Sequence, residues 1–205
     1  MRILLLILFI SYSGVSQITT HPITKEISYK EIFEAEGETS KNKKAVSKWA
    51  ALQFANSNYA VRLDTEDNLI AKASSPITIP SGKYTFYGAI TFVVDVAIKD
   101  GRYKLEIYNI KRYLDACPSV KTPVFDYTNL SYEEYLIITE DNINKFADEK
   151  YRKPALKRLK NKKKSFSDYE KQVASVNTVF KQASLDIYSI AKSLHKYVQK
   201  NPTDW

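Results

Sequence analysis

Glycine, histidine and cysteine are scarce in this sequence of 205 residues, and each shortage excludes a kind of site. Only five glycines are present, and neither the P-loop pattern nor G-x-G-x-x-G occurs. Two histidines and one cysteine, none at metal-ligand spacing, disfavour a zinc or haem site. A catalytic triad would have to use His21 or His195, and no local pattern supports either. We therefore predict no cofactor, no metal and no enzymatic activity.

The first 16 residues have the pattern of a secretory signal peptide. Arg2 precedes an unbroken apolar run, Ile3–Ile10, and small residues occupy the −3 and −1 positions before Gln17. The apolar run is much shorter than the roughly 20 residues that span a bilayer, although an uncleaved anchor stays open as an alternative. We predict that the protein is exported, either periplasmic or secreted, with no transmembrane span after cleavage.

Positive charge is concentrated in one segment, Lys150–Lys164, which we call the basic segment. The net charge of the whole sequence is +8. The basic segment supplies nine positive charges and Arg2 one more, so the rest of the chain has a net charge of −2. Because the basicity is local and the protein is predicted to be exported, nucleic acid is disfavoured as a partner. The candidate anion-binding residues are Lys150, Arg152, Lys153, Lys157, Arg158, Lys160, Lys162, Lys163 and Lys164.

The basic segment has two interpretations. Blocks of like charge are usually solvated, which favours an exposed helical connector. The alternative is a surface that binds an anionic membrane or a polyanion, to which each Lys or Arg contributes about 1 kcal/mol. Pro154 and the weak amphipathicity of the segment argue against its insertion into a membrane.

The N-terminal part of the chain predicts a strand followed by a helix. Residues 17–26 have no regular pattern and predict a flexible lead-in. Residues 27–37 are of β-type and predict the strand. Thr39 and Ser40 offer a hydroxyl that could cap the helix after it. The predicted buried face of that helix contains Ala45, Val46, Trp49 and Leu52.

Two β-type runs around the polar cluster Asp64–Asn68 predict a hairpin. Residues 74–84 contain two prolines and predict a connector or an irregular edge. Asp100-Gly101, between two long alternating runs, predicts a second hairpin with a two-residue turn. In that register the apolar face contains Phe92, Val94, Val96, Ile98, Tyr103, Leu105 and Ile107.

The opposite face of this second hairpin is predicted to be solvated. It would also contain Val93, Tyr108 and Ile110. Asp95 would lie opposite Glu106, and two carboxylates on one face could form a cation site or a glycosidase-like pair. Mixed surface charges are more common than a functional site on a solvated sheet face, and we favour the interpretation as a surface charge cluster.

The C-terminal part predicts a loop and then helices. Residues 114–130 contain two prolines and no periodicity, which predicts a loop. Ser131 and Glu134 have the spacing of a capping box, and an interrupted helical segment follows. From Tyr169 to Tyr197, apolar residues recur at alternating spacings of four and three, which predicts a long amphipathic helix. We favour core packing over a coiled-coil seam for this stripe.

The run Ile27–Tyr113 has four features that together point to a known family. They are the strand YKEIFEAEG, the helix centred on Trp49, the stretch DTEDNLIAKAS and the hairpin AITFVVDVAIKDGRYKLEIYNI. The run resembles an uncharacterised family, found mainly in exported proteins of Bacteroidetes, with a TATA-box-binding-protein-like (TBP-like) fold. Ala73 stands where that family leads us to expect glycine. The resemblance implies a curved antiparallel sheet with helices on one side, and it implies no functional residues.

These observations predict an α+β fold: a curved antiparallel sheet in the order β-α-β-β-β-β with helices packed on one face, and a long C-terminal helix. The predicted segments are residues 1–16 (signal peptide), 17–26 (flexible lead-in), 27–113 (TBP-like domain), 114–167 (loop and helical insertion with the basic segment) and 168–200 (long helix). We interpret the chain as a non-catalytic binding or interaction module of the cell envelope, with an unknown protein or envelope component as partner. The alternative is a binder of anionic surfaces, membrane or polyanion, through the basic segment.

Overall fold

The computed structural model describes residues 17–35, 37–53, 60–81, 84–99, 101–145 and 148–200. The predicted signal peptide and Asp100 of the predicted turn lie outside these residues. The described part of the chain forms seven strands and four helices. Their bounds are β1 (Gln17–Thr20), β2 (Ile27–Glu34), α1 (Thr39–Gln53), β3 (Ala60–Asp64), β4 (Asn68–Ser81), β5 (Tyr84–Lys99), β6 (Arg102–Leu114), β7 (Cys117–Pro123), α2 (Tyr132–Asn144), α3 (Glu149–Lys160) and α4 (Lys162–Lys200).

The seven strands form one antiparallel sheet. The strand order is β1-β2-β6-β5-β4-β3, and β7 pairs with β6 outside this path. In the central β5–β6 hairpin, Lys99 pairs with Arg102, as the predicted two-residue turn requires. Gly101 in that turn has a φ of 72°, a left-handed conformation that glycine adopts without steric cost. The predicted α+β class with an antiparallel sheet is therefore confirmed.

Helices α1 and α4 pack against the same face of the sheet. Trp49 of α1 and Leu194 of α4 are buried in one cluster with the sheet residues. Burial of apolar surface, worth about 25 cal/mol per Å², holds both helices in place. The apolar residues predicted for this face of the central hairpin are all buried: Phe92, Val94, Val96, Ile98, Tyr103, Leu105 and Ile107. We call the opposite side of the sheet the open sheet face.

A short chain of hydrogen bonds joins α1 to α4 beside this core. The indole Nε1 of Trp49 donates to Ser193 Oγ at 3.1 Å, and the Ser193 hydroxyl donates to Gln53 Oε1 at 3.0 Å. The buried stripe of α4 extends from Val176 to Val198. The stripe is therefore core packing within the chain, as the sequence pattern favoured.

Three segments that were predicted to be irregular contain strands. The lead-in, 17–26, contains β1, which pairs with β2. The predicted connector, 74–84, continues β4 as far as Ser81, and the predicted loop, 114–130, contains β7. β1 and β7 each pair with one strand, and within the described residues β3 accompanies β4 only as far as Lys72. Prolines are tolerated at such margins because no neighbouring strand needs their missing N–H.

A β-bulge in β6 reverses the alternation of its last residues. The register with β5 shifts by one residue between Tyr108 and Lys111, and Asn109 has a φ of 53°. The bulge turns Ile110 towards the helices, where it is 3% exposed. The prediction that Ile110 shares the open sheet face with Val93 and Tyr108 is therefore wrong.

Helix α4 begins before its apolar stripe. The side chain of Asn161 accepts a hydrogen bond from the backbone N–H of Lys164 at 3.2 Å, which is the bond of an N-cap. The first turn, which starts at Lys162, contains only polar residues. The spacing of apolar residues therefore could not predict where this helix begins. Although α4 has 39 residues, neither it nor any other described helix is long and apolar enough to cross a membrane.

Candidate functional site

The basic segment forms α3 and the first turn of α4. Asp148 caps α3 by accepting a hydrogen bond from the backbone N–H of Lys150 at 2.8 Å, and Asn161 separates the two helices. Eight of the nine cationic side chains are exposed, and Arg152 is half-buried. The segment is thus helical and lies on the surface.

Three of the nine cations have carboxylate partners among the residues that the structure describes. Arg152 and Lys153 both approach Glu149, at 4.0 and 3.2 Å. Arg158 forms a bidentate pair with Asp168, in which its Nε and Nη2 lie 2.6 and 2.7 Å from the two carboxylate oxygens. This geometry is the strong form of the Arg–carboxylate interaction. The hydrogen bonds from Arg158 lower the pKa of Asp168, and the pair ties α3 to α4.

The other six cations have no carboxylate within 4.0 Å in the part of the chain that the structure describes. They are Lys150, Lys157, Lys160, Lys162, Lys163 and Lys164. Those in α3 share one side of the helix with Lys153, because their spacings are three and four residues. Leu156 and Leu159 lie on the adjoining flank of the helix and are half-buried. Helix α3 therefore presents a row of exposed lysines with two half-buried leucines next to it.

A pocket of about 430 Å³ lies between α2, α3 and the start of α4; we call it the α2–α3 pocket. This volume falls within the range of about 300–1,000 Å³ that is typical of small-molecule sites. Three lining residues are exposed and charged, and the other four are half-buried and largely apolar. The lining residues are Tyr132, Leu136, Glu140, Leu156, Leu159, Lys160 and Lys162.

One wall of the α2–α3 pocket is fixed by an aromatic cluster. The hydroxyls of Tyr132 and Ser165 lie 2.6 Å apart, and Ser165 is buried. The Tyr132 ring packs edge-on against Phe166 and Tyr169, with centroids 5.2 and 5.5 Å away. Tyr169 in turn donates from its hydroxyl to the carbonyl of Leu130 at 2.7 Å. These contacts hold α2 against α4 and fix the position of the Tyr132 ring.

The opposite wall of the pocket, helix α3, is held more loosely. None of its 12 residues is fully buried. Pro154 lies inside the helix and has no N–H to donate to the carbonyl of Lys150, which weakens this part of the helix. The α2–α3 pocket thus combines a fixed wall with a weakly packed one.

Helix α2 begins with the predicted capping box. The Ser131 hydroxyl accepts from the backbone N–H of Glu134 at 3.1 Å, and the Glu134 carboxylate accepts from the backbone N–H of Ser131 at 2.9 Å. Lys25 also donates to this carboxylate at 2.9 Å. The bonds from Ser131 and Lys25 lower the pKa of Glu134 to about 2.

The open sheet face has a charge cluster at its centre. Asp95 lies opposite Glu106 across the β5–β6 hairpin, as predicted. Lys104 and Lys30 approach Glu106 at 2.9 and 3.3 Å, and the hydrogen bonds from them lower its pKa. Burial raises the pKa of Asp95, which Lys104 opposes. The two lysines make this a mixed charge cluster, the interpretation that the sequence favoured over a carboxylate pair.

Both histidines have structural contacts. The imidazole Nδ1 of His195 lies 3.1 Å from the Tyr103 hydroxyl, and its ring stacks on Phe33 with a centroid distance of 4.8 Å. His21 Nδ1 accepts from the backbone N–H of Thr24 at 3.0 Å, within the turn after β1. In the described residues, no cluster of three or more His, Cys, Asp or Glu side chains could hold a metal ion.

The fold and these surfaces define an α+β protein with one sheet face under helices and the other face open. Residues 29–113, from β2 into β6, match the model of a family described as a domain of unknown function (DUF4468) with TBP-like fold. This match, which covers less than half of the chain, confirms the resemblance found in the sequence and the TBP-like fold. No curated protein is significantly similar to the chain.

Two crystal structures are similar to this chain. A DUF4468 family protein from Bacteroides ovatus is 12% identical, with a TM-score of 0.43; the match covers 51% of this chain and 64% of that one, just under two thirds of its length. A TBP-like protein from Parabacteroides distasonis is 13% identical, with a TM-score of 0.42, and the match covers 83% of this chain and 94% of that one.

Proposed function

We propose that this chain is an exported, non-catalytic binding module of the cell envelope. The pattern of its first 16 residues supports export. The binding role is supported by two accessible surfaces, the open sheet face and the basic segment with the α2–α3 pocket. If export is correct, protein purified from the envelope or periplasmic fraction begins at Gln17, which N-terminal sequencing measures. A cytoplasmic protein that retains the first 16 residues would refute it.

We further propose that the basic segment binds an anionic surface, either a membrane or a polyanion. The observation that supports this role is the set of six lysines without a carboxylate partner among the described residues. At about 1 kcal/mol each near an anionic surface, they would supply up to roughly 6 kcal/mol. Because the rest of the chain has a slightly negative net charge, this side of the protein would be attracted most strongly to such a surface.

The test is sedimentation of the chain from residue 17 onward with lipid vesicles. We expect binding to vesicles that contain phosphatidylglycerol and little binding to phosphatidylcholine alone. Raising the salt concentration from about 0.1 to about 1 M shortens the Debye length from about 10 to about 3 Å, and binding should fall accordingly. Binding that does not depend on salt or on lipid charge contradicts the proposal. The same measurement with heparin, a negatively charged polymer, tests whether the segment binds a polyanion instead of a membrane.

A matched pair of variants separates the basic segment from general charge. The variant Lys150→Gln/Lys157→Gln/Lys160→Gln removes three of the six lysines that have no carboxylate partner within the described part of the chain. The control removes three exposed lysines of α1, which have no carboxylate partner among the described residues: Lys41→Gln/Lys44→Gln/Lys48→Gln. Both variants lower the net charge by three. We expect the first to lose vesicle binding and the second to keep most of it, and an equal loss in both refutes a specific role of the basic segment.

A further inference from the structure

We propose that the α2–α3 pocket binds the hydrocarbon chain of an anionic single-chain amphiphile, such as a fatty acid, with its head group at Lys160 and Lys162. This inference rests on the proposed function, because the basic segment supplies both lysines. It goes further by assigning a small-molecule site with a defined ligand class to a pocket that a binder of anionic surfaces does not need.

The shape and chemistry of the pocket support a hydrocarbon chain as occupant. Leu136 of α2 and Leu156 and Leu159 of α3 line the space and are half-buried, so part of their apolar surface still contacts the pocket. A mostly apolar lining with a few polar groups is the usual design of sites for small molecules. Each methylene group that such a lining buries strengthens binding about fourfold.

The charges around the pocket favour a negative head group. Lys160 and Lys162 line the pocket, are exposed, and have no carboxylate within 4.0 Å among the described residues. Among the described residues, Glu140 is the single acid in the lining, so the local charge balance remains positive. Lys163 and Lys164 follow directly in the sequence and add to the positive potential. A carboxylate or phosphate head group would therefore be attracted, and an ammonium head group would be repelled.

The two walls of the pocket differ in a way that suits a flexible chain. Tyr132 is fixed by Ser165 and by the rings of Phe166 and Tyr169, which gives the ligand a defined surface. Helix α3 has no fully buried residue and contains Pro154, so small displacements of this helix disturb little core packing. The pocket can thus adjust its width while one wall remains in place.

The probe is sodium dodecanoate at concentrations where it is monomeric, and the measurement is titration calorimetry with the chain from residue 17 onward. We expect binding of one molecule per chain. Affinity should rise about fourfold per methylene group from octanoate through decanoate to dodecanoate. Dodecyltrimethylammonium, with the same chain and the opposite charge, should bind at least about tenfold more weakly. The absence of dodecanoate binding, or affinities that do not depend on chain length, overturns the inference.

Two pairs of variants locate the site. Lys160→Gln/Lys162→Gln should weaken dodecanoate binding about tenfold, and the matched control Lys150→Gln/Lys157→Gln, in the same segment but outside the lining, should leave it unchanged. Leu156→Trp fills the pocket and should abolish binding, whereas Leu185→Trp, at an exposed position of α4, should not. Circular dichroism identifies any variant that fails to fold, in which case the lysine pair decides the question. Equal affinities of the two lysine variants overturn the inference.

The outcomes also separate this inference from the proposed function. Both lysine variants remove two charges of the basic segment and should weaken binding to phosphatidylglycerol vesicles alike, but only one should affect dodecanoate. Vesicle binding without dodecanoate binding refutes the pocket inference alone. Dodecanoate binding without vesicle binding refutes the anionic-surface proposal and supports the pocket.

Discussion

Trp49 and Leu52 provide a direct test of how α1 lies on the sheet. The helical spacing places both on one face, but the structure separates them: Trp49 is 1% exposed and Leu52 is 64% exposed. The reason is that α1 contacts the sheet and α4 over a narrow stripe, outside which Leu52 lies. We therefore expect the two alanine substitutions to differ strongly in their effect on the free energy of unfolding.

The magnitude follows from the contacts of each side chain. A buried tryptophan removes about 150–250 Å² from water, which at about 25 cal/mol per Å² amounts to roughly 4–6 kcal/mol and is an upper estimate. Trp→Ala substitutions in cores cost about 3–5 kcal/mol, and the hydrogen bond to Ser193 contributes about 1 kcal/mol. We expect Trp49→Ala to lower the free energy of unfolding by about 4 kcal/mol, and Leu52→Ala by less than about 0.5 kcal/mol.

The assay is urea unfolding followed by circular dichroism, which does not depend on the substituted tryptophan. With an m-value of about 1–3 kcal/mol per molar urea, the Trp49→Ala midpoint should fall by more than about 1 M. Trp49→Phe keeps most of the apolar contact and loses the hydrogen bond, so its midpoint should lie between those of wild type and Trp49→Ala. Similar midpoints for Trp49→Ala and Leu52→Ala would refute the described packing of α1.

Two further predictions concern the sheet and helix α2. A Cβ on Gly88 would overlap the carbonyl oxygen of Tyr113, so Gly88→Ala should lower the free energy of unfolding by about 1–3 kcal/mol. The control Ala89→Ser, on the open sheet face, should change it by less than about 0.5 kcal/mol. Equal urea midpoints of the two variants would contradict the close approach of β5 and β6. Because the folded pKa of Glu134 is lowered from 4.5 to about 2, its contribution is complete above pH 4.5 and is lost as the pH falls towards 2. Glu134→Gln should therefore show a smaller loss of thermal stability over this pH range than wild type, and identical pH profiles would argue against the capping-box ionisation.

The central hairpin could be predicted from the sequence because two independent signals agree there. The Asp100-Gly101 dipeptide sets the turn, and the alternation from Phe92 to Ile107 sets the register. A shift of the strand register by one residue would expose the apolar side chains of this alternation to solvent. The bulge at Asn109 lies outside the residues that these two signals cover. A single inserted residue changes which side chains face the core. Its signal in the sequence is Asn109, because continued alternation would bury this asparagine and expose Ile110, and asparagine adopts a positive φ more readily than most residues.

The strands at the margins could not be predicted because their stability comes from a neighbour. β1 and β7 each pair with one strand, and their residues show no alternation that would indicate a buried face. The prolines in β4 and β7 are typical of turns in isolation, but at a margin they need no hydrogen-bond partner on one side. Pairing with β2, β5 and β6 therefore overrides the local preference.

The basic segment was visible in the sequence, but the α2–α3 pocket was not. Charge can be counted residue by residue along the sequence. Ion pairs and pocket walls depend on the packing of helices: Arg158 pairs with Asp168 on another helix, and the walls of the pocket come from three helices. Tyr132 and Leu159 are far apart in the sequence and meet only when α2 and α3 pack. The distinction between paired and unpaired lysines therefore required the structure.

The most direct test of the proposed role is the binding of two variants to phosphatidylglycerol vesicles, compared at one salt concentration. Removal of Lys150, Lys157 and Lys160 should cost about 1 kcal/mol per lysine, which is roughly a hundredfold loss of affinity. Removal of Lys41, Lys44 and Lys48 from α1 should cost less than about tenfold, because the loss is confined to long-range attraction. Equal affinities of the two variants would contradict a binding role of the basic segment.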